Sequence, residues 1–303
     1  MSDTNPGSFI EIQHVSKIFG NASPEVLEAI ADNRISKQEA LEKYNAVIGV
    51  SDVSFDVNPG EIFCVMGLSG SGKSTLVRHI NRLLEPTLGR ILIDGQDVMA
   101  LEKEALQAFR NKKIGMVFQN FALMPHRSVI DNVGYGLEVQ GVTRDERNQK
   151  ALEALALVGL EPYAASMPSQ LSGGMQQRVG LARAMAVDPE ILIFDEPFSA
   201  LDPLIRREMQ DELLGLQDKL QKTMVFITHD FLEAIKMGDH IAIMKDGEIV
   251  QIGTPEEIVA NPVDDYVRDF TEDVPRYKGL SGGKVMREAS KGLDTTHAGK
   301  ASA

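Results

Sequence analysis

Residues Gly67–Thr75 read GLSGSGKST, and no other stretch restricts the possible folds so strongly. It fits the pattern G-x-x-x-x-G-K-[ST]. The apolar run EIFCVMG precedes it and STLVRHINRLL, with helical spacing of its apolar residues, follows it. A strand feeding a glycine loop that opens a helix is a cradle for phosphate. Glycines let backbone N–H groups close around the anion, and the helix N-terminus adds its partial positive charge. In this reading Gly67, Leu68, Ser69, Gly70, Ser71, Gly72, Lys73, Ser74 and Thr75 line the cradle. Lys73 reaches the β- and γ-phosphates of a nucleotide and Ser74 ligates Mg2+. The competing reading is a glycine-rich structural turn.

The rest of the chain supplies a fold for that loop. FIEIQHVSKIF (Phe9–Phe19) and VIGVSDVSFDV alternate as strands, separated by two short helical patterns over residues 21–45. Ser23 with Pro24 marks the start of the first helix, and Ser36 with Glu39 has capping-box spacing at the second. GRILIDGQDV (Gly89–Val98) reads as strand and turn, and KKIGMVFQN (Lys112–Asn120) as a strand ending in polar residues. From Val129 to Val187 the pattern is helical, with Thr143 and Glu146 spaced as a capping box. ILIFDEP and TMVFITHD then each lead into a helix, an alternation that predicts a mostly parallel sheet with right-handed crossovers. A hairpin turning at Asp246-Gly247 closes the fold. Residues 1–275 are therefore expected to form one α/β domain, and the small, polar residues 276–303 a disordered tail.

Several chemistry-bearing residues fall at strand ends. ILIFDEP places Asp195 beside a metal and Glu196 toward an attacking water. Gln119 either touches the metal or the water, or is a solvated strand end. His229, after MVFIT, is placed to contact a γ-phosphate, since ligands of open α/β sheets sit at the carboxyl edge. QLSGGMQQRVGLARAM (Gln170–Met185) is a second anion site: Ser172 caps a helix whose first amides belong to Gly173 and Gly174. Two separated half-sites in one chain predict a head-to-tail homodimer.

Taken in order, GLSGSGKST, Gln119, LSGGMQQR, ILIFDEP, SALD and THD resemble the ATP-binding subunit of an ABC transporter over residues 9–275. The resemblance implies a P-loop ATPase with a RecA-like, mostly parallel core, an antiparallel β subdomain and a helical signature subdomain at about 129–187. It implies ATP and Mg2+, with Ser74, Gln119 and Asp195 on the metal. Glu196 is then the catalytic base, His229 the switch histidine, and Lys73 and Gln119 further catalytic groups. Ser172, Gly173, Gly174 and Gln176 act in trans, and Asp202 belongs to the D-loop. Phe19 is implied as the aromatic that stacks on adenine, displaced upstream by the helical insertion. The segments MVFQNFALMPHRSVIDNVGYGLEVQG and GVSDVSFDVNPGEIFCVMGLSGSGKST, together with the insertion, are similar to uptake subunits for glycine betaine, choline and proline, with trimethylamine N-oxide in the same chemical class. Permease subunits gripping Phe121–Gly136 and an external binding protein are the implied partners, at the cytoplasmic face of the cell membrane. Many such subunits add a pair of CBS domains, which need about 100 residues or more. Residues 276–303 do not suffice, so gating by such domains is not expected.

Composition excludes other classes. Lys plus Arg is 31 against 44 Asp plus Glu, and a formal charge of −13 opposes nucleic acid as main partner. A soluble ABC ATPase of DNA repair or translation would need a long coiled coil or a second cassette, and a small-molecule kinase has no use for LSGGMQQR. Another small solute, such as an amino acid or polyamine, stays open. No apolar run approaches the ~18 residues of a membrane span, and MSDTNPGSF is not a signal peptide. Cys64, the single cysteine, reads as a small buried hydrophobe. The insertion reads as a surface hairpin or as a docking element. A third glycine stretch, GLSGGK (Gly279–Lys284), has Lys278 where the loop's first glycine belongs and Val285 where the hydroxyl belongs, and no strand feeds it.

Overall fold

The computed structural model describes residues 7–20, 23–31 and 37–272. In chain order, β1 (Ile10–Gly20) is followed by helices α1 (Pro24–Ala31) and α2 (Lys37–Tyr44), then β2 (Ala46–Val57) and β3 (Ile62–Met66). Helix α3 (Lys73–Ile80), β4 (Leu88–Ile93), β5 (Gln96–Asp97), α4 (Lys103–Lys113) and β6 (Ile114–Val117) come next. A helical region holds α5 (Val129–Val133), α6 (Tyr135–Val139), α7 (Arg144–Leu157) and α8 (Gly173–Met185). The chain then alternates through β7 (Ile191–Asp195), α9 (Pro203–Leu220), β8 (Thr223–Thr228), α10 (Phe231–Met237) and β9 (His240–Lys245). It closes with β10 (Glu248–Gly253), α11 (Pro255–Ala260) and α12 (Asp265–Thr271).

Two sheets result. Six strands lie in the order β10-β9-β3-β8-β7-β6, parallel except for β10, and four antiparallel strands lie in the order β2-β1-β4-β5. The central strands are apolar on both faces because both faces are covered. Ile62, Cys64, Met66, Leu192, Phe194, Met224 and Phe226 pack against the helices on one side. The alternate residues Phe63, Val65, Ile191, Ile193, Val225 and Ile227 pack against α3 and the antiparallel sheet. Phe55 stacks on Phe63 across that second interface, with centroids 4.6 Å apart. Cys64 is fully buried, and burial pushes its thiol well above the usual range, as befits a packing residue.

The hairpin forms as expected: Asp246 (φ 49°) and Gly247 (φ 78°) both take the positive φ of a tight two-residue turn. The helices of residues 24–44 sit at the end of the β1–β2 pair, where Ile18, Val26, Ala40 and Ala46 make a small core of their own. Ser36 of the expected capping box, the GLSGGK stretch and the tail lie outside the described residues.

Three local expectations are corrected. Thr143 stands at the N-cap of α7, but its side chain accepts no hydrogen bond there. Lys112 and Lys113 close α4 instead of opening a strand, and β6 spans only Ile114–Val117. Helix α4 had no distinct signal, since its buried apolar residues are only Leu106 and Phe109. No helix among the described residues is long and apolar enough to cross a membrane.

Gly115 marks the contact between the sheet and α8. A Cβ there would stand 2.6 Å from the Ala184 carbonyl oxygen and 2.9 Å from Leu192 Cδ2. Gly115→Ala should cost about 1–3 kcal/mol of stability, read as a lower urea midpoint with an unchanged m-value.

Candidate active site

The parallel register sets three loops side by side. Met66 pairs with Thr228, and Asp195 with Ile227, so Gly67, Glu196 and His229 leave the sheet at one edge. The glycine loop is shaped by contacts that only glycine permits. At Gly67 (φ 154°) a Cβ would lie 2.2 Å from the Met244 carbonyl oxygen, and at Gly72 (φ 102°) 2.5 Å from that of Gly49. Lys73, 4% exposed, folds into the loop and donates to the carbonyls of Gly67 (2.8 Å) and Leu68 (3.0 Å). Burial lowers its amine from the usual lysine range, opposed by the carboxylates of Glu196 and Asp195. The buried Ser71 hydroxyl oxygen has no hydrogen-bond partner among the described residues. A buried cation and an orphaned hydroxyl in a ring of backbone is an arrangement completed by phosphate oxygens.

The acidic pair extends that cradle. Ser74 donates its hydroxyl to Asp195 Oδ1 at 2.8 Å, so two hard oxygen ligands already meet. Arg78, on the same helix as Ser74, holds Asp195 Oδ2 at 3.2 Å. Glu196 sits in the left-handed region (φ 48°), a strained conformation that turns its carboxylate out of the sheet. Glu196 Oε2 lies 2.9 Å from His229 Nδ1, and Oε1 lies 4.0 Å from Lys73 Nζ. Behind this pair a small cleft is lined by Phe198, Ser199, Arg206, Thr228 and Glu233. Burial raises the Glu233 carboxyl, whose Oε1 accepts from Gln210 at 2.8 Å.

The remaining residues singled out from the sequence fall in two groups. Gln119 lies in a turn two residues past β6, as Glu196 does relative to Phe194, the partner of Val117. It is exposed and makes no side-chain hydrogen bond among the described residues, so the structure brings it to the edge but not into the cluster. Phe19 pairs with Val47, and its half-exposed ring lies over Gly49, where a Cβ would stand 2.7 Å from Phe19 Cε2 and 3.5 Å from Thr75 Cγ2. An aromatic 48 positions before Gly67 thus sits beside the glycine loop, since strand pairing carries it across the insertion.

Ser172 caps α8 by accepting from the Met175 N–H at 3.3 Å. Gly173 is exposed, and Gly174 lets α8 approach α9, since a Cβ there would meet Ile205 Cγ2 at 2.7 Å. Gln176 donates to the carbonyls of Pro168 and Leu171, bracing the stretch before the helix. No hydrogen bond among the described residues joins Ser172–Gly174 to Gly67–Thr75. Asp202 caps α9 through the amides of Leu204 and Ile205. Sequence reasoning missed Arg78 and Gly49. Arg78 had a weak signal, since residues four apart share a helix face and Ser74 was already assigned; Gly49 had none.

Residues 50–199 match the ABC transporter family. The chain is 56% identical over 280 residues to the glycine betaine transport ATP-binding protein of Bacillus subtilis (strain 168), covering 92% of this chain and 67% of that protein. It is 54% identical over 284 residues to the glycine betaine/proline betaine transport ATP-binding protein of Escherichia coli (strain K12), covering 94% and 71%. With the trimethylamine N-oxide transport ATP-binding protein of Pelagibacter ubique (strain HTCC1062) it shares 51% identity over 279 residues, covering 92% and 81%. Among solved structures, a dimeric ATP-binding cassette in a post-hydrolysis state with ADP and Pi superimposes with a TM-score of 0.68. The two share 32% identity, over 81% of this chain and 98% of that one.

Gly72 is the sharpest test of the loop, because both its φ and the Gly49 carbonyl exclude a side chain. Gly72→Ala should weaken ATP binding about tenfold or more, the equivalent of ~1.4 kcal/mol of loop strain. Isothermal titration of the folded variant with ATP reads the loss.

Proposed function

The chain belongs to the ATP-binding subunits of ABC transporters, and from that premise we propose that it hydrolyses ATP to drive uptake of a compact quaternary or tertiary amine osmolyte. Glycine betaine, proline betaine and trimethylamine N-oxide define the class, since relatives of at least half identity carry those names. Choline occurs in the names of two more distant relatives, each at 44% identity. The observation that carries the ATPase reading is one sheet edge holding Ser74 against Asp195 and Glu196 against His229.

The residues divide the work as follows. The glycine loop and Lys73 bind the β- and γ-phosphates, and Lys73 then exchanges its bonds to Gly67 and Leu68 for bonds to phosphate oxygen. The paired oxygens of Ser74 and Asp195 fit Mg2+, with Gln119 as a further ligand; bound there, the ion neutralises charge developing on the phosphates. Glu196 accepts a proton from the attacking water and His229, in contact with Glu196 Oε2, orients that carboxylate and the γ-phosphate. Phe19 offers its exposed face to adenine. Ser172, Gly173 and Gly174 present the N-terminus of α8 to a nucleotide held by a second copy. Leu68, Leu204 and Leu232 are 55%, 65% and 55% exposed around the same edge and form the apolar rim that copy would cover. Asp202 lies on this rim.

Closure of two copies around two nucleotides supplies the differential binding energy that moves a membrane partner. The segment Phe121–Gly136 is the surface assigned to that permease. The half-buried Arg183 guanidinium fixes its start by donating to the carbonyls of Phe121 and Ala122, and desolvation lowers that group from the usual arginine range. The transporter thus places this subunit at the cytoplasmic face of the cell membrane, with an external binding protein choosing the solute.

Glu196→Gln should retain ATP affinity within about threefold while steady-state hydrolysis falls about a hundredfold or more. Turnover close to that of the unaltered chain would remove Glu196 as the base. For the solute, the subunit co-expressed with its permease and binding protein in an uptake-deficient cell should accumulate radiolabelled glycine betaine or trimethylamine N-oxide. Uptake of neither, with ATPase activity intact, would overturn the solute class.

A further inference from the structure

Helix α12, the last described element, packs against β9, the strand whose Met244 carbonyl abuts the glycine loop. The Tyr266 hydroxyl donates to the Met244 carbonyl oxygen at 3.2 Å. Met244 O is the atom on which Gly67 is seated, and Gly67 and Leu68 are the residues whose carbonyls hold Lys73 Nζ. One phenol therefore holds the carbonyl against which Gly67 packs, and Gly67 in turn helps position the phosphate-binding amine. Burial raises the Tyr266 phenol from its usual range, so the hydroxyl stays protonated and keeps its donor.

The same ring extends toward the other half of the site. Tyr266 meets Phe270 edge-on at 5.1 Å, and Phe270 lies 6.2 Å from Phe231. Phe231 opens α10 two residues after His229. Lys245 Nζ sits 4.6 Å over the Tyr266 ring, and Val267 is fully buried, so α12 is held on its neighbours by more than the hydroxyl.

We propose that Tyr266 is a positioning residue for nucleotide binding, and that α12 straps the glycine loop to the helix that follows the switch histidine. The assignment rests on the ATPase reading above. Tyr266→Phe keeps the ring, its edge contact and its cation–π contact and removes only the hydroxyl, leaving Met244 O without that donor.

The test titrates the full chain with Mg-ATP, and separately with ADP, well below the unfolding midpoint of each variant, and follows steady-state hydrolysis. Tyr266→Phe should raise the Kd and KM for nucleotide about three- to tenfold, with kcat within about twofold. A merely structural role predicts a lower unfolding midpoint and an unaltered Kd, and that result overturns the proposal. Phe270→Leu, which spares the hydroxyl, should lower kcat more than it raises KM; an unchanged kcat overturns the strap. Failure of the unaltered chain to bind ATP would instead overturn the ATPase reading itself.

Discussion

Met66 lies opposite Thr228, and Ile227 opposite Asp195, in adjacent parallel ladders of three fully buried strands. The following residue on each strand is Gly67, Glu196 and His229, so a packing constraint also sets the chemistry. Shifting β7 by one residue against β8 would turn its side chains to the opposite faces and exchange the roles of Asp195 and Glu196. The aromatic contacts of Phe226 with Phe194 and Phe198, centroids 5.6 and 5.7 Å away, lie directly beneath that edge and oppose such a shift.

The edge is electrostatically closed on itself. Lys73 and Arg78 face Asp195 and Glu196, and Lys73 is further satisfied by two carbonyls of its own loop. Lys73, Asp195 and Glu196 are buried or half-buried charges that would otherwise be costly, and pairing reduces the cost of holding them near a dry sheet end. Phosphate competes for the same donors. In the proposed ATPase, nucleotide binding replaces internal bonds with external ones, and the loop's neighbours, Met244 and Tyr266 among them, are placed to keep its shape during that exchange.

Much of this was legible in local pattern. The glycine loop announced itself because a strand before it and a helix after it are required for its amides to converge, and GLSGGK lacked both. The strand ends at Asp195 and His229 were visible because apolar runs stop there. Less legible was whatever lacks a local signature. Helix α4 buries only two apolar side chains and blends into the turn before it. Thr143 had the spacing of a capping box yet makes no side-chain cap, since spacing states what a side chain can reach and not where it turns. Gln119 lies past the end of β6 because the ladder ends at Val117.

By itself the sequence determined the kind of site: a phosphate cradle, a hydroxyl and two carboxylates, and a second helix N-terminus, each encoded within a short stretch by residues only that geometry tolerates. The tertiary structure decided which distant residues meet it. Phe19 reaches the loop because β1 and β2 pair across the helices of residues 24–44, and Gly49 leaves room for its ring. Arg78 finds Asp195, 117 positions away, and Tyr266 finds Met244, because strands and helices pack in one arrangement. Such contacts depend on register and crossing geometry summed over the whole core, and no window of sequence contains that sum.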